Sequence, residues 1–284
     1  LALIQSLIGY NSIKKGVEHV KPGCDGFFLL PVDIPAIRKS TIDSLTRHFS
    51  ESPDRIFIPQ FDGIPGHPPL IPARLRQKIL NAGPDMTLRD ILFDPSQPKS
   101  EIKTYDRGIL MDADDPKGFR AVLDKSKTAA VPDKEECLCI INDHLPDNES
   151  VRKHMADVSL TAIRIAGAVK LNLDYDLIIA ASLLHDIKRR EKDHAQKGAL
   201  LLEKLGFPEV ADIVGQHMDI DLDPESEQIN EAQIVYFADK VCTEKGLDLN
   251  YHKRFARNSK KAPWAITSIS RRYGHTKEIH ARIK

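Results

Sequence analysis

The chain has 284 residues, long enough for two domains of roughly 100–200 residues each. Hydrophobic residues make up 41% and charged residues 29%, a balance that can bury a core. The formal net charge is zero, so no global pull on nucleic acid or on a membrane surface is expected, and no window approaches the roughly 18 consecutive apolar residues of a membrane helix. No signal peptide is visible from Leu1 onward, and the four cysteines make no framework. Cys24, Cys137, Cys139 and Cys242 read as reduced, mostly buried thiols of a cytoplasmic protein.

Taken in order, residues 1–20 have helical apolar spacing at Ile4, Leu7, Ile8, Ile13 and Val17. Phe27 to Leu30 is a short apolar run of the kind found in a buried parallel strand, and it ends at Asp33 between Val32 and Ile34. A carboxylate there lies at the sheet edge where open α/β folds bind ligands. A helix follows from Ser40, with Ser40 or Thr41 as N-cap, and then a strand from Arg55 to Pro59. The loop from Asp62 to Pro69 is rich in Gly and Pro. Two helices are expected next, Pro72 to Asn81 and Thr87 to Phe93, and then a closing strand pair, Ile102 to Tyr105 and Gly108 to Met111. A helix completes the unit. Strands alternating with helices indicate a mostly parallel α/β sheet.

The phrases LLPVDIP, FDGIPGHPPLI, TLRDIL and GILMDADDPKGF resemble the molybdenum-cofactor cytidylyl- and guanylyltransferases, which join a nucleotide to molybdopterin. The resemblance implies a Rossmann-like nucleotidyltransferase domain over residues 1–123. It implies Mg at Asp33, with Asp33, His67, Arg89, Asp112 and Asp114 facing nucleotide or pterin. The same residues also admit structural readings: Asp33 as a cap, Asp112 and Asp114 as turn residues, His67 as part of a turn, and Arg89 as a sheet cap. Asp115 stands where that family usually has Thr. The family's opening strand and Gly-rich loop, with its Arg and Lys, have no counterpart from Leu1 onward. The expected domain is therefore amino-terminally incomplete and lacks a triphosphate cradle.

Residues 124–132 read as a linker, and residues 133–284 as an all-helical domain that opens at Pro132 with acids in its first turn. The apolar run Ile178 to Leu184 delivers His185-Asp186 toward an interior, where ionisable groups are costly unless paired or metal-bound. His154, His194, His217 and Asp239 also stand on segments of helical pattern. Imidazole with carboxylate and no thiolate suits Mn, Fe or Mg, and can serve Zn. In order, HDIKRREKDHAQKGA, GFPEVADIVGQHMD and VYFADKV resemble the HD phosphohydrolase superfamily.

That resemblance implies metal held by His154, His185, Asp186 and Asp239. His194 and His217 match the extra histidines of two-metal members, with Asp186 bridging; the alternative is that they contact substrate phosphate directly. Lys188 and Arg189 follow the pair, either as phosphate clamps or as a solvated helix end. The basic segment from His252 to Arg272 reads as a solvated helix face. The expected chemistry is metal-dependent hydrolysis of a nucleotide or small phosphorylated metabolite, with Asp186, Lys188 and Arg189 in the reacting site. A second expectation is a nucleotide-sensing regulatory protein whose first domain is a scaffold only.

Overall fold

In a computed structural model the chain forms two compact units, residues 1–129 and 130–284. Described are residues 2–83, 85–169, 171–223, 225, 226 and 228–284, with side chains from Tyr10 onward. Leu1 lies outside the described residues, as do the side chains of the apolar positions Ile4, Leu7 and Ile8. Among the described residues no helix is long and apolar enough to cross a membrane.

The first unit runs α1 (Ala2–Glu18), β1 (Gly26–Phe28), α2 (Lys39–Glu51), β2 (Ile56–Phe61), β3 (Ile64–Pro65) and β4 (Leu70–Pro72). It continues with α3 (Arg76–Leu80), α4 (Leu88–Leu92), β5 (Lys99–Lys103) and α5 (Pro116–Lys127). Strand β2 organises it because IFIPQF is apolar on both faces. Successive strand side chains point to opposite faces. Ile56 and Ile58 pack with Val17, Ile71, Leu75, Ile79, Ile91 and Leu92. Phe57 packs with Leu45, Phe49 and Leu70. Burying each such side chain contributes about 1.5–3 kcal/mol.

The sheet is mixed. Its longest ladder, β2 with β5, is parallel from Ile56–Lys99 to Gln60–Lys103, the orientation expected from alternating strands and helices. The shorter ladders, β1–β4, β2–β3 and β2–β4, are antiparallel. Tight connections allow them: Asp62 and Gly63 both take positive φ, 47° and 82°, between β2 and β3.

Four local expectations are corrected. Residues Arg107–Leu110 form a 3-10 turn and not a strand, because the Asp106 carboxylate accepts from the Gly108 N–H at 3.1 Å and winds the chain there. A Cβ on Gly108 would lie 1.9 Å from the Ala36 carbonyl oxygen, so the approach requires glycine. Helix α2 is entered at Arg38, and the Thr41 hydroxyl donates instead to buried Asp106 at 2.7 Å. The segment from Pro72 begins as strand and 3-10 turn before α3. Helix α5, N-capped by Asp115, runs to Lys127, so the first residues of the 124–132 segment are helical.

The second unit is helical: α6 (Lys134–His144), α7 (Glu149–Ala168), α8 (Tyr175–Leu184), α9 (His194–Lys204), α10 (Pro208–Gln216), α11 (Glu231–Val241), α12 (Tyr251–Lys261) and α13 (Ile266–Ile283). A two-residue hairpin, β6 (Cys242–Thr243) with β7 (Gly246–Leu247), joins α11 to α12. Caps set the starts. Asp133 and Glu136 form a capping box for α6, while Asn148, Asp174 and Asn230 cap α7, α8 and α11. Gly206, at φ 91°, ends α9, and Pro208 opens α10. Cys137, Cys139 and Cys242 are buried as expected; Cys24 is exposed, since it sits in the loop before β1 and not in apolar packing.

Candidate metal centre

The site begins with α8. Its residues from Ala180 to Leu184 are all buried, so the chain emerges from the helix still inside the core. His185 and Asp186 are therefore 0% and 2% exposed. His154 comes from the second turn of α7, His194 opens α9, His217 follows the last turn of α10, and Asp239 lies near the end of buried α11.

The six side chains form two groups. The ligand atoms of His154, His185 and Asp239 lie within 4.8 Å of one another, as do those of Asp186, His194 and His217. Asp186 joins them. Its Oδ2 is 3.6 Å from His185 Nε2 and 4.0 Å from His154 Nε2. Its Oδ1 is 3.3 Å from His194 Nε2 and 3.4 Å from His217 Nε2. Asp239 Oδ1 lies 3.1 Å from His154 Nε2 and 3.9 Å from His185 Nε2.

The imidazoles are oriented from behind. His185 Nδ1 donates to the Ser182 carbonyl at 2.8 Å, and His217 Nδ1 donates to the Val214 carbonyl at 2.6 Å. A carbonyl only accepts, so Nδ1 carries a proton in both rings and Nε2 is turned to the centre. Both Nε2 atoms are buried without a hydrogen-bond partner. Orphaned buried nitrogens are costly, and a cation between the two groups would satisfy them. The residues present thus fit one or two divalent ions.

The electrostatics agree. Burial pushes His185 down to about 4 against the pull of Asp186 and Asp239, so its ring is neutral and its lone pair is available. Burial raises Asp186, but the imidazoles of His194 and His217 beside its Oδ1 and the Arg189 guanidinium hold it well below the usual carboxylate range. Asp239 is likewise opposed by burial and held low by Lys240 and His154.

Of Lys188 and Arg189, only Arg189 faces the cluster. Its Nη1 lies 3.4 Å from Asp186 Oδ1 and 3.3 Å from His194 Nε2, with the side chain 49% exposed. Lys188 turns to Glu191, 3.2 Å away. Two further residues escaped sequence reasoning. Lys240 Nζ donates to Asp239 Oδ2 at 2.6 Å and to the His217 carbonyl at 3.0 Å. Arg254 Nη1 donates to the carbonyls of Asp239, Lys240 and Cys242, each at 3.1 Å. A lysine inside the apolar run IVYFADKVC was the signal for the first; the second had none.

In the first unit, four of the five candidate residues come together. Ala113 N–H donates to the Asp33 carbonyl at 2.9 Å, and His67 N–H donates to the Ile109 carbonyl at 2.9 Å. A hydrogen bond shared with Asp33, and then the Asp112 charge, raise Asp114 above the ordinary carboxylate range. Burial lowers His67, partly offset by the Asp33 charge. Asp33 Oδ1 and His67 Nδ1 are buried without partners. Neighbouring carboxylates repel one another, and a divalent cation between them would offset that repulsion, so the pair suits Mg. Arg89 instead stacks on Phe93, 5.0 Å from the ring centroid, at the exposed end of α4.

Residues 9–99 match the family model of the MobA-like NTP transferase domain, and residues 151–244 match that of the HD domain. Both stand in one chain, in the order of the expected fusion: an α/β nucleotidyltransferase region and then a helical HD region. HD domains are metal-dependent and typically hydrolases. No curated protein matches the chain significantly.

Proposed function

We propose that the second unit is a two-ion phosphohydrolase acting on a nucleotide or another small phosphorylated metabolite. The observation that carries this is the division of Asp186, whose two oxygens each face a separate set of ligands. In this reading His154, His185 and Asp239 hold one cation, His194 and His217 the other, and Asp186 bridges them; Fe, Mn, Zn or Mg would serve. When bound, such ions activate water and neutralise charge on the phosphoryl oxygens. The chain's own part is to fix the imidazoles through Ser182 and Val214, to keep Asp186 and Asp239 ionised, and to offer Arg189 to a phosphate oxygen. Lys188, held by Glu191, has a lesser part. The test is a panel of phosphate esters and anhydrides assayed with metal-loaded wild type and Asp186→Ala. Turnover by the first and its loss in the second is the expected outcome.

The reading extends to the first unit, residues 1–123, with 124–132 linking it to the hydrolase of residues 133–284. There Asp33 and Asp114 would hold Mg, and His67 and Asp112 would border the nucleotide; transfer to molybdopterin in the cytoplasm would need a Gly-rich triphosphate loop in addition to these residues. The approach of the Asp33 and Asp114 carboxylates supports it. Isothermal titration with Mg²⁺ tests it, and Asp33→Asn should abolish the heat from this unit.

A further inference from the structure

A cleft of about 850 Å³ opens beside His154, walled by three elements. Ser150, Lys153, His154 and Asp157 line it from one face of α7. Thr243, Glu244 and Lys245 come from the β6–β7 hairpin, and Lys253, Arg254 and Arg257 from α12. The cleft lies at a reachable side of the metal centre: the His154 side chain is 32% exposed, against 0% for His185 and His217. Much of its wall, from Lys245 to Arg257, lies beyond the residues that match the HD domain.

The charges there are uneven. Asp157, Glu244 and Asp248 stand against five cations. Arg254 is spent on the carbonyls that end α11. Lys153, Lys245, Lys253 and Arg257 are exposed and have no ion-pair partner among the described residues, although carboxylates stand in the same cleft. On α12, Lys253 and Arg257 are four residues apart and share one face. Unpaired cations around a walled cleft focus potential onto an anion. The volume suits a molecule of nucleotide size. The formal net charge of the chain is zero, so no global pull on a polynucleotide adds to it.

We infer that this cleft is a second anion subsite of the hydrolase, in which Lys153, Lys245, Lys253 and Arg257 hold a further phosphoryl group of a small substrate while its scissile phosphate lies at the metals. The substrate class is then a bisphosphorylated, nucleotide-sized molecule rather than a simple monoester. The inference rests on the hydrolase reading for the scissile phosphate only, since the cations of the cleft lie outside the ligand set.

The test uses the full chain, Mn²⁺-loaded and metal-stripped, titrated with adenosine 5′-monophosphate, adenosine 3′,5′-bisphosphate and a single-stranded oligonucleotide. Wild type should bind the bisphosphate at least about tenfold more tightly than the monophosphate. Lys253→Glu/Arg257→Glu should erase that preference and leave monophosphate affinity within about twofold, with unchanged Mn²⁺ content and thermal midpoint. Both substitutions are on exposed positions, so folding is spared. Equal affinities in wild type, a preference that survives the double substitution, or tighter binding of the oligonucleotide would each overturn the subsite. Failure of the hydrolase reading shows differently, as absent Mn²⁺ uptake and ligand affinities indifferent to the metal.

Discussion

Lys240 holds Asp239 from behind: its ammonium lies 2.6 Å from Oδ2, leaving Oδ1 turned to His154 at 3.1 Å. Both residues are buried, at 7% and 8% exposure. The lysine neutralises a carboxylate that would otherwise stand uncompensated in the core, and through the His217 carbonyl it ties α11 to the end of α10.

Removing that ammonium should therefore be felt at the metals. Lys240→Met leaves Asp239 free to turn and is expected to weaken metal affinity by about 10–100-fold, the usual cost of losing a group that orients a ligand. Competition with a chromophoric chelator measures it; wild-type affinity in the variant would remove Lys240 from the account.

Arg254 is expected to act on stability as well as on position. Arg254→Ala strips a donor from the Asp239, Lys240 and Cys242 carbonyls at the end of α11. The loss should be about 1–3 kcal/mol in denaturant unfolding. A change within error would mean that water replaces the guanidinium at no cost.

Asp219 offers a pH-dependent test. Burial raises its carboxyl, but hydrogen bonds from Arg272 and Arg271 prevail and hold it at about 2. The folded value lies below the unfolded one of about 3.9, so the stabilisation is present above about pH 4 and is lost as pH falls toward 2. Asp219→Asn should cost about 1 kcal/mol at pH 7, a figure reduced for screening because the side chain is 38% exposed. The thermal-midpoint difference from wild type should close by about pH 2; a difference constant with pH would exclude the charge as its source.

In the first unit, Gly108→Ala should destabilise strongly, since the new methyl would meet the Ala36 carbonyl oxygen at 1.9 Å. The expected cost is about 2 kcal/mol or more, with metal content of the second unit unchanged. Differential scanning calorimetry would show the loss; an unshifted transition would mean that the turn opens freely.

The ordered His and Asp set was legible because its members fall in order on segments of helical pattern, and because ionisable groups in apolar surroundings, His185, Asp186 and Asp239, need a reason. His185 and Asp186 follow a run whose burial the sequence already implies. The second unit's first helix was legible from Pro132 and the acids of the turn that follows it. What escaped depends on long-range partners. Residues 107–110 look like a strand until Asp106, held by Arg38 and Thr41 from α2, winds them into a turn. Arg254 is one basic residue in a basic helix, and only the fold brings it to the end of α11. Lys188 and Arg189 are equivalent as letters, yet the chain turns one to Glu191 and the other to Asp186.

The central claim is that Asp186 joins two metal sites, and Mn²⁺ binding with electron paramagnetic resonance tests it most directly. Metal-stripped wild type, His194→Ala and Asp186→Ala would each be titrated with Mn²⁺. Wild type should take up two equivalents and show spin-coupled ions. His194→Ala should keep one ion, uncoupled, and Asp186→Ala should lose most of both. Two coupled ions in Asp186→Ala, or a single equivalent in wild type at saturation, would contradict the bridged centre.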